Sequence, residues 1–120
     1  MNDVTDTSKL FGAERRVHHV KRPNFRITEM QISPTQEVPW HYHNHVQDTL
    51  YVVSGTIRIE LREPIEEVRL SRGQTFSIAP KRPHRVTNIG DTSANFIVLQ
   101  GDGEFDFAPI ARQVMVPDGQ

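Results

Sequence analysis

The sequence predicts an all-β sandwich or barrel built as a single domain. Three observations predict it. Short runs alternate apolar and polar residues and are rich in β-branched and aromatic side chains. Turn-forming residues interrupt them roughly every 8 to 12 residues, and no window of helical length keeps a 3.6-residue period. The 120 residues suit one domain. A chain of this length is expected to fold from about 20,000 Å² of accessible surface to about 6,600 Å², which is enough burial for a core without covalent staples.

The opening, "MNDVTDTSKLFGAERR", is polar and aperiodic. Residues 1–24 are expected to be an N-terminal tail or a strand that docks on a second copy. Within them "RRVHHVKRPNF" has β character at Val17 and Val20 but too few apolar residues for a layer of its own. In "FRITEMQIS", Phe25 and Ile27 fall on one face and Met30 and Ile32 on the other, a switch of phase that predicts a bulge or burial on both faces. Ser33-Pro34 ends that run. "DTLYVVSG" reads as a strand stopping at Gly55, and "TIRIELR" carries Ile57, Ile59 and Leu61 in strict period 2. "EPIEE" is a turn and "VRL" a short strand. "SRGQTFSIAP" supplies another turn and strand, "KRPH" a proline-bounded loop, and "HRVTN", "ANFIVLQ" and "EFDFAPI" complete the set. The barrel is expected over 25–112, with 113–120 a C-terminal tail. Met30, Ile32, Phe76, Ile78, Val86, Phe96 and Val98 are expected to fill it, some of them lining a cavity.

Composition excludes several functions. With no cysteine there is no disulfide, no thiolate metal site and no cysteine nucleophile. A net charge of −1 implies no basic face, so nucleic acid is not an expected partner. The opening lacks the apolar run of a secretory signal, and no segment approaches the ~20 apolar residues that span a bilayer. A cytoplasmic protein without a membrane partner is expected.

The densest chemical signal is "WHYHNHVQD". His41, His43 and His45 are half of the six histidines of the chain. Residues two apart on a strand point to one side, so neighbouring imidazoles can lean toward a point about 2.0–2.1 Å from each nitrogen, as a metal requires. His45 joins that face only if the strand persists through Asn44. Asp48 can add a carboxylate oxygen, and His84 is the other histidine inside the β region. Gln47 could take the acidic slot if the loop were one residue shorter. Adjacent His18 and His19 would face opposite sides of a strand and read as tail or surface residues. Lys81, Arg82 and Arg85 read as a solvated loop around His84, and Asn88 as a polar partner or turn former. Trp40 and Tyr42 fall on the face opposite His41.

The spacing His41-x-His43-x4-Asp48-x6-Gly55 resembles the first motif of the cupin superfamily, which has Glu where this chain has Asp48. Gly73-x5-Ala79-x-Lys81-x2-His84-x3-Asn88 resembles the second, which has Pro and Gly where Ala79 and Lys81 stand. The resemblance runs from about Phe25 to about Gln100. It implies a double-stranded β-helix, a jelly-roll barrel, holding a metal on His41, His43, Asp48 and His84. It also implies a homodimer in which the N-terminal strand lies against the partner sheet. Lys81 stands where the family's Gly permits a positive φ.

Three imidazoles and one carboxylate suit a divalent transition metal: Fe, Mn, Ni, Cu or Zn. Vacant coordination positions would take a small-molecule ligand or substrate through its oxygens. No Ser–His pair, phosphate loop or spaced carboxylate pair offers another chemistry, so chemistry is expected to run through the metal. Two readings follow: an enzyme on an oxygen-rich small molecule, either dioxygenase-like or a non-redox lyase or isomerase, and a non-catalytic binding or sensor module. A protic side chain beside the open positions, other than the ligands, would favour the enzyme. Met30, His45, Gln47, Phe96 and Gln100 are the candidate pocket residues.

Overall fold

The structure is a computed structural model that describes residues 7–110; the expected tail at 113–120 lies outside the described residues. A 3-10 turn at Thr7–Lys9 precedes ten strands: β1 (Arg15–Arg22), β2 (Phe25–Ile32), β3 (Glu37–Tyr42), β4 (Gln47–Ser54), β5 (Thr56–Leu61), β6 (Glu66–Ser71), β7 (Thr75–Ile78), β8 (His84–Asn88), β9 (Ala94–Gly101) and β10 (Ala108–Pro109). They form two antiparallel five-stranded sheets, β1-β2-β9-β4-β7 and β10-β3-β8-β5-β6. This is the expected all-β jelly roll. β1 lies ahead of residue 25 and pairs with β2 of its own chain, so it is an edge strand of the first sheet.

The interior is built in rungs. Across β2, β9 and β4, Ile32 faces Ala94, then Met30, Phe96 and Val52 share a rung, then Thr28, Val98 and Leu50, and last Arg26, Gln100 and Asp48. Across the other sheet Ile57 faces Asn88, then Val38, Val86 and Ile59 align, and last His41, His84 and Leu61. Every one of these residues is buried. One end of the barrel is therefore apolar and the other polar. Each large aliphatic side chain taken out of water at the apolar end contributes about 1.5–3 kcal/mol. Phe76, expected inside, packs against this core from a half-buried position.

The expected bulge in "FRITEMQIS" is absent. β2 keeps one phase, with Arg26, Thr28, Met30 and Ile32 all inward, and the register shift falls in β1 instead, between His18 and Val20. The apparent switch arose because two inward residues of β2 are polar. They stand at the polar end of the barrel, where the interior lines a site.

Turns at both ends fix the rungs. At the apolar end Gly55 has φ 81°, and a Cβ there would stand 2.8 Å from the Ala94 Cα. Asn88 donates to the carbonyls of Ile32 (3.1 Å) and Thr92 (2.8 Å) and accepts from the Gly90 N–H, which makes it a turn former far from the histidines. At the polar end the Lys81 N–H donates to the His43 carbonyl at 2.6 Å. The Asp106 carboxylate accepts from the Asn44 backbone and side chain at 2.8 and 2.6 Å. Three loops are thus tied together around the histidines.

Candidate metal centre

Strand ends bring the cluster together. His41 is inward near the end of β3 and pairs in register with His84, the first residue of β8. β3 stops at Tyr42, and His43 follows in the loop. Asp48 is the second residue of β4 and faces inward beside Gln100. One ligand atom from each of His41, His43, Asp48 and His84 lies within 4.8 Å of the others, and all four residues are buried.

The hydrogen bonds assign the tautomers. Nδ1 of His41 lies 2.7 Å from the Pro39 carbonyl, and Nδ1 of His84 lies 2.9 Å from the Arg82 carbonyl. Nδ1 of His43 bonds the Asp106 carbonyl. A carbonyl only accepts, so each Nδ1 carries the proton and each Nε2 of the neutral ring is a lone pair. Two of these lone pairs face the same carboxylate oxygen: Asp48 Oδ2 is 3.1 Å from His43 Nε2 and 3.3 Å from His84 Nε2. Gln100 donates to the other oxygen, Oδ1, at 2.9 Å. Acceptors converging in a buried space repel one another unless a cation or a proton stands between them.

The electrostatics express the same conflict. Burial pushes His41 well below the usual 6.5, and the neighbouring imidazoles of His84 and His43 push the same way. Burial works against a charge on His43 too, but the Asp48 charge and hydrogen bond and the Asp106 carbonyl outweigh it and raise that ring above 6.5. Asp48 is held well below the ordinary 3.8: burial opposes its ionisation, and the His43 and His84 contacts overcome it. Without a metal, a proton shared toward His43 is what relieves the cluster. The donor set fits a divalent first-row metal, being three imidazole nitrogens and one hard oxygen whose outer partners are already in place.

Beside the cluster lies a cavity of about 60 Å³. Met30, Phe96 and Gln100 line it. His45 and Gln47 do not: both are exposed. The strand does not persist through Asn44. Val46 takes the inward place, and Gln47 faces outward because Asp48 faces inward. Gln100 also steadies the Asp48 carboxylate.

Sequence reasoning missed four contributors. Phe107 stacks on His41 at 4.2 Å and 12°, and Phe105 lies 5.4 Å from His43. His18 is half-buried rather than fully exposed: β1 carries it to the cavity wall, with Nδ1 3.0 Å from Thr28 Oγ1. Arg26, also on that wall, is 3.4 Å from the same nitrogen through Nη2. Extending the β2 phase backward from Ile32 and Met30 would have found Thr28 and Arg26. His19 is exposed and pairs with Glu29 at 2.9 Å.

Residues 28–100 match the family model of the cupin domain. The chain belongs to the cupin family. It is 27% identical over 85 residues to the tetracenomycin polyketide synthase protein TcmJ of Streptomyces glaucescens, a match covering 71% of this chain and 51% of that protein. The cupin chain thus spans about half the length of that curated relative. Among solved structures it is similar to a double-stranded β-helix protein from Klebsiella pneumoniae, with a TM-score of 0.72, 24% identity, and coverage of 82% of this chain and 80% of the other. It is also similar to Bacillus subtilis oxalate decarboxylase OxdC, with a TM-score of 0.68 and 18% identity, over 80% of this chain and 26% of that one. At these identities the solved structures share the fold. Among the described residues no helix is long and apolar enough to cross a membrane.

Proposed function

We propose that this cupin is a mononuclear metal-dependent enzyme acting on a small oxygen-rich molecule bound beside His41, His43, Asp48 and His84. The observation that carries the reading is the convergence of four buried ligand atoms, with their protons assigned outward, on the wall of a cavity. The same fold in oxalate decarboxylase holds Mn(II) centres. A bound divalent metal would supply Lewis acidity toward a substrate oxygen and, with a redox-active ion, electron transfer.

The chain's own residues do the rest. Gln100 keeps Asp48 aimed at the cluster, and the carbonyls of Pro39, Asp106 and Arg82 hold the three rings. Met30, Val98, Phe96 and Phe107 keep bulk water out, which strengthens every charge interaction inside. His18 favours catalysis over plain binding, because it is a protic group on the cavity wall outside the ligand set. Arg26 can only donate, so its contact assigns His18 Nδ1 as acceptor and places the neutral ring's proton on Nε2. An oxygenase and a lyase or isomerase both fit this arrangement. The homodimer expected from the sequence would form along the outer edge of β1, whose inner edge is paired with β2.

Elemental analysis of protein purified without added metal tests the reading. Wild type is expected to carry a first-row metal, whose identity separates redox from non-redox chemistry. His84→Ala is expected to lose most of it while circular dichroism stays β-rich. Full occupancy in His84→Ala sinks the assignment.

A further inference from the structure

The cavity beside the histidine cluster is walled unevenly. Among the described residues that line it, Thr7, Phe11 and His18 are half-buried and every other is buried. The wall nearest solvent is therefore made by the chain ahead of β2. His18 belongs to β1, whose backbone is paired with β2. Thr7 and Phe11 belong to no strand.

That segment is pinned at one point and leans on the site at another. At Glu14 the backbone N–H donates to the Gln31 carbonyl at 2.8 Å, and the carboxylate accepts from Ser93 and Gln31 at 2.6 and 2.9 Å. Ahead of Glu14 the turn closes on itself, the Leu10 N–H donating to the Thr7 carbonyl at 2.9 Å. Phe11 then stacks on Phe107, with 6.0 Å between centroids at 25°, and Phe107 stacks on His41. Arg16 clasps the same residue, its guanidinium 4.6 Å from the Phe11 ring centroid and its Nη2 donating to the Phe11 carbonyl at 2.9 Å. The ring stack can separate without breaking the strand ladders that form the rest of the wall.

We propose that Phe11 is the gate of the cavity. Thr7 to Phe11 closes over the metal centre and swings away from Phe107, about Gly12 and Ala13, to exchange what is bound there. A volume of about 60 Å³ is the room of about two waters at ~30 Å³ each. A metal ion arriving with its own shell of water, or a molecule of more than a few heavy atoms, cannot pass while the wall is closed. Elsewhere a path would cost hydrogen bonds between strands. Here it costs the contacts of one ring and one carbonyl, which suits a lid. What is exchanged rests on the metal reading above; the gate itself does not.

The test uses the full chain with Co(II) as the probe, because its absorption reports its ligands. Metal-free wild type and Phe11→Ala are mixed with Co(II), and the loaded proteins with excess EDTA, in a stopped-flow instrument. Uptake and release are both expected to be about 3- to 30-fold faster in Phe11→Ala, with affinity within about threefold of wild type. Phe11→Leu keeps apolar bulk without the ring stack and should fall between; it also serves should the alanine protein fold poorly. A residue that only supports the site would change release and affinity together and leave uptake alone. Equal rates in all three proteins, or faster release with a matching loss of affinity, would overturn the proposal. A second measurement needs no metal. Diethyl pyrocarbonate acylates neutral imidazole nitrogens that reach solvent, and peptide mass spectrometry locates the product. His41, His43 and His84 are expected to react about 3- to 30-fold faster in Phe11→Ala, with the exposed His19 and His45 as unchanged references. Unaltered reactivity of the buried histidines rejects the gate. A wild type that takes up no Co(II) sinks the proposed function, and the acylation rates then decide the gate alone.

Discussion

The two ends of the barrel interior share one construction and differ in chemistry. At both ends strands alternate inward and outward residues and bury the inward ones, although β3 shifts register between Val38 and His41 on its way to the polar end. At one end the rungs are Ile32 with Ala94, Met30 with Phe96 and Val52, and Ile57 beside Asn88. At the other they are Arg26 with Gln100 and Asp48, facing His41 and His84. The first end gains free energy by leaving water. The second loses it, since a buried ionisable group costs several kcal/mol unless partners compensate. Stability and chemistry are therefore placed in series along one barrel, and substitutions at the two ends should be read out by different measurements.

The largest expected effect is at the apolar end. Ile57→Ala is expected to destabilise the fold by about 2–5 kcal/mol, because Ile57 is fully enclosed and its neighbours cannot all collapse onto the cavity. Melting should fall by roughly 10 °C, while the folded fraction keeps its metal. At the polar end His84→Ala should do the reverse. Its metal affinity should drop by more than the about 10–100-fold that loss of an outer partner costs, with a metal-free melting temperature close to that of wild type. An Ile57→Ala protein of wild-type stability, or one that loses metal while folded, would break the comparison.

The apolar end was the legible one. Alternation in "TIRIELR" and "ANFIVLQ" marks inward faces because apolar residues report burial directly. The histidine cluster was legible for another reason: histidine is rare, and its spacing at 41, 43 and 84 resembles a known motif. What lay between was not legible. Arg26 and Thr28 belong to the inward phase of β2, but polar residues there look outward to a hydrophobicity pattern. His18 reaches the cavity only through the pairing of β1 with β2, a contact that no local period encodes. Phe105 and Phe107 cover the histidines from the segment after β9, where almost no regular strand survives. The exposure of His45 followed from where β3 ends, and element ends are set by loop contacts such as Lys81 to His43.

A smaller effect should appear on acidification. Metal binding needs neutral imidazoles, so protons compete for the same nitrogens. The ring held above 6.5 is His43, raised by Asp48, whereas His41 is held well below that value by burial and its imidazole neighbours. As pH falls through the raised His43 value, a proton takes the place of the metal there, and His41 adds nothing until much lower pH. Affinity should therefore begin to fall above pH 6.5, and at that onset close to one proton should be exchanged per ion. Calorimetry in buffers of different ionisation enthalpy counts that proton. A count near three across the same range would mean the rings titrate alike and would remove the asymmetry assigned to Asp48.

The smallest effect concerns the turns that close the two ends. Gly55, at the apolar end, has φ 81° and is the residue type that adopts it without strain. Lys81, at the polar end, has φ 70°. A side-chain-bearing residue in that region is strained by about 1–2 kcal/mol. The strain persists because the Lys81 N–H must meet the His43 carbonyl at 2.6 Å, which holds the loop before His84 against the loop after β3. Lys81→Gly should relieve it. The gain is offset by the greater freedom of glycine in the unfolded chain, about 0.4–1 kcal/mol, so a net stabilisation of roughly 0.5–1 kcal/mol is expected. The lysine side chain is exposed, so little packing is lost. Urea melts should show a higher midpoint with an unchanged slope, and metal affinity should stay within about twofold, since the backbone bond to His43 survives. A lower midpoint would show that the lysine is held by contacts worth more than its backbone strain. The polar end would then be as well fitted to its turn as the apolar end is to Gly55.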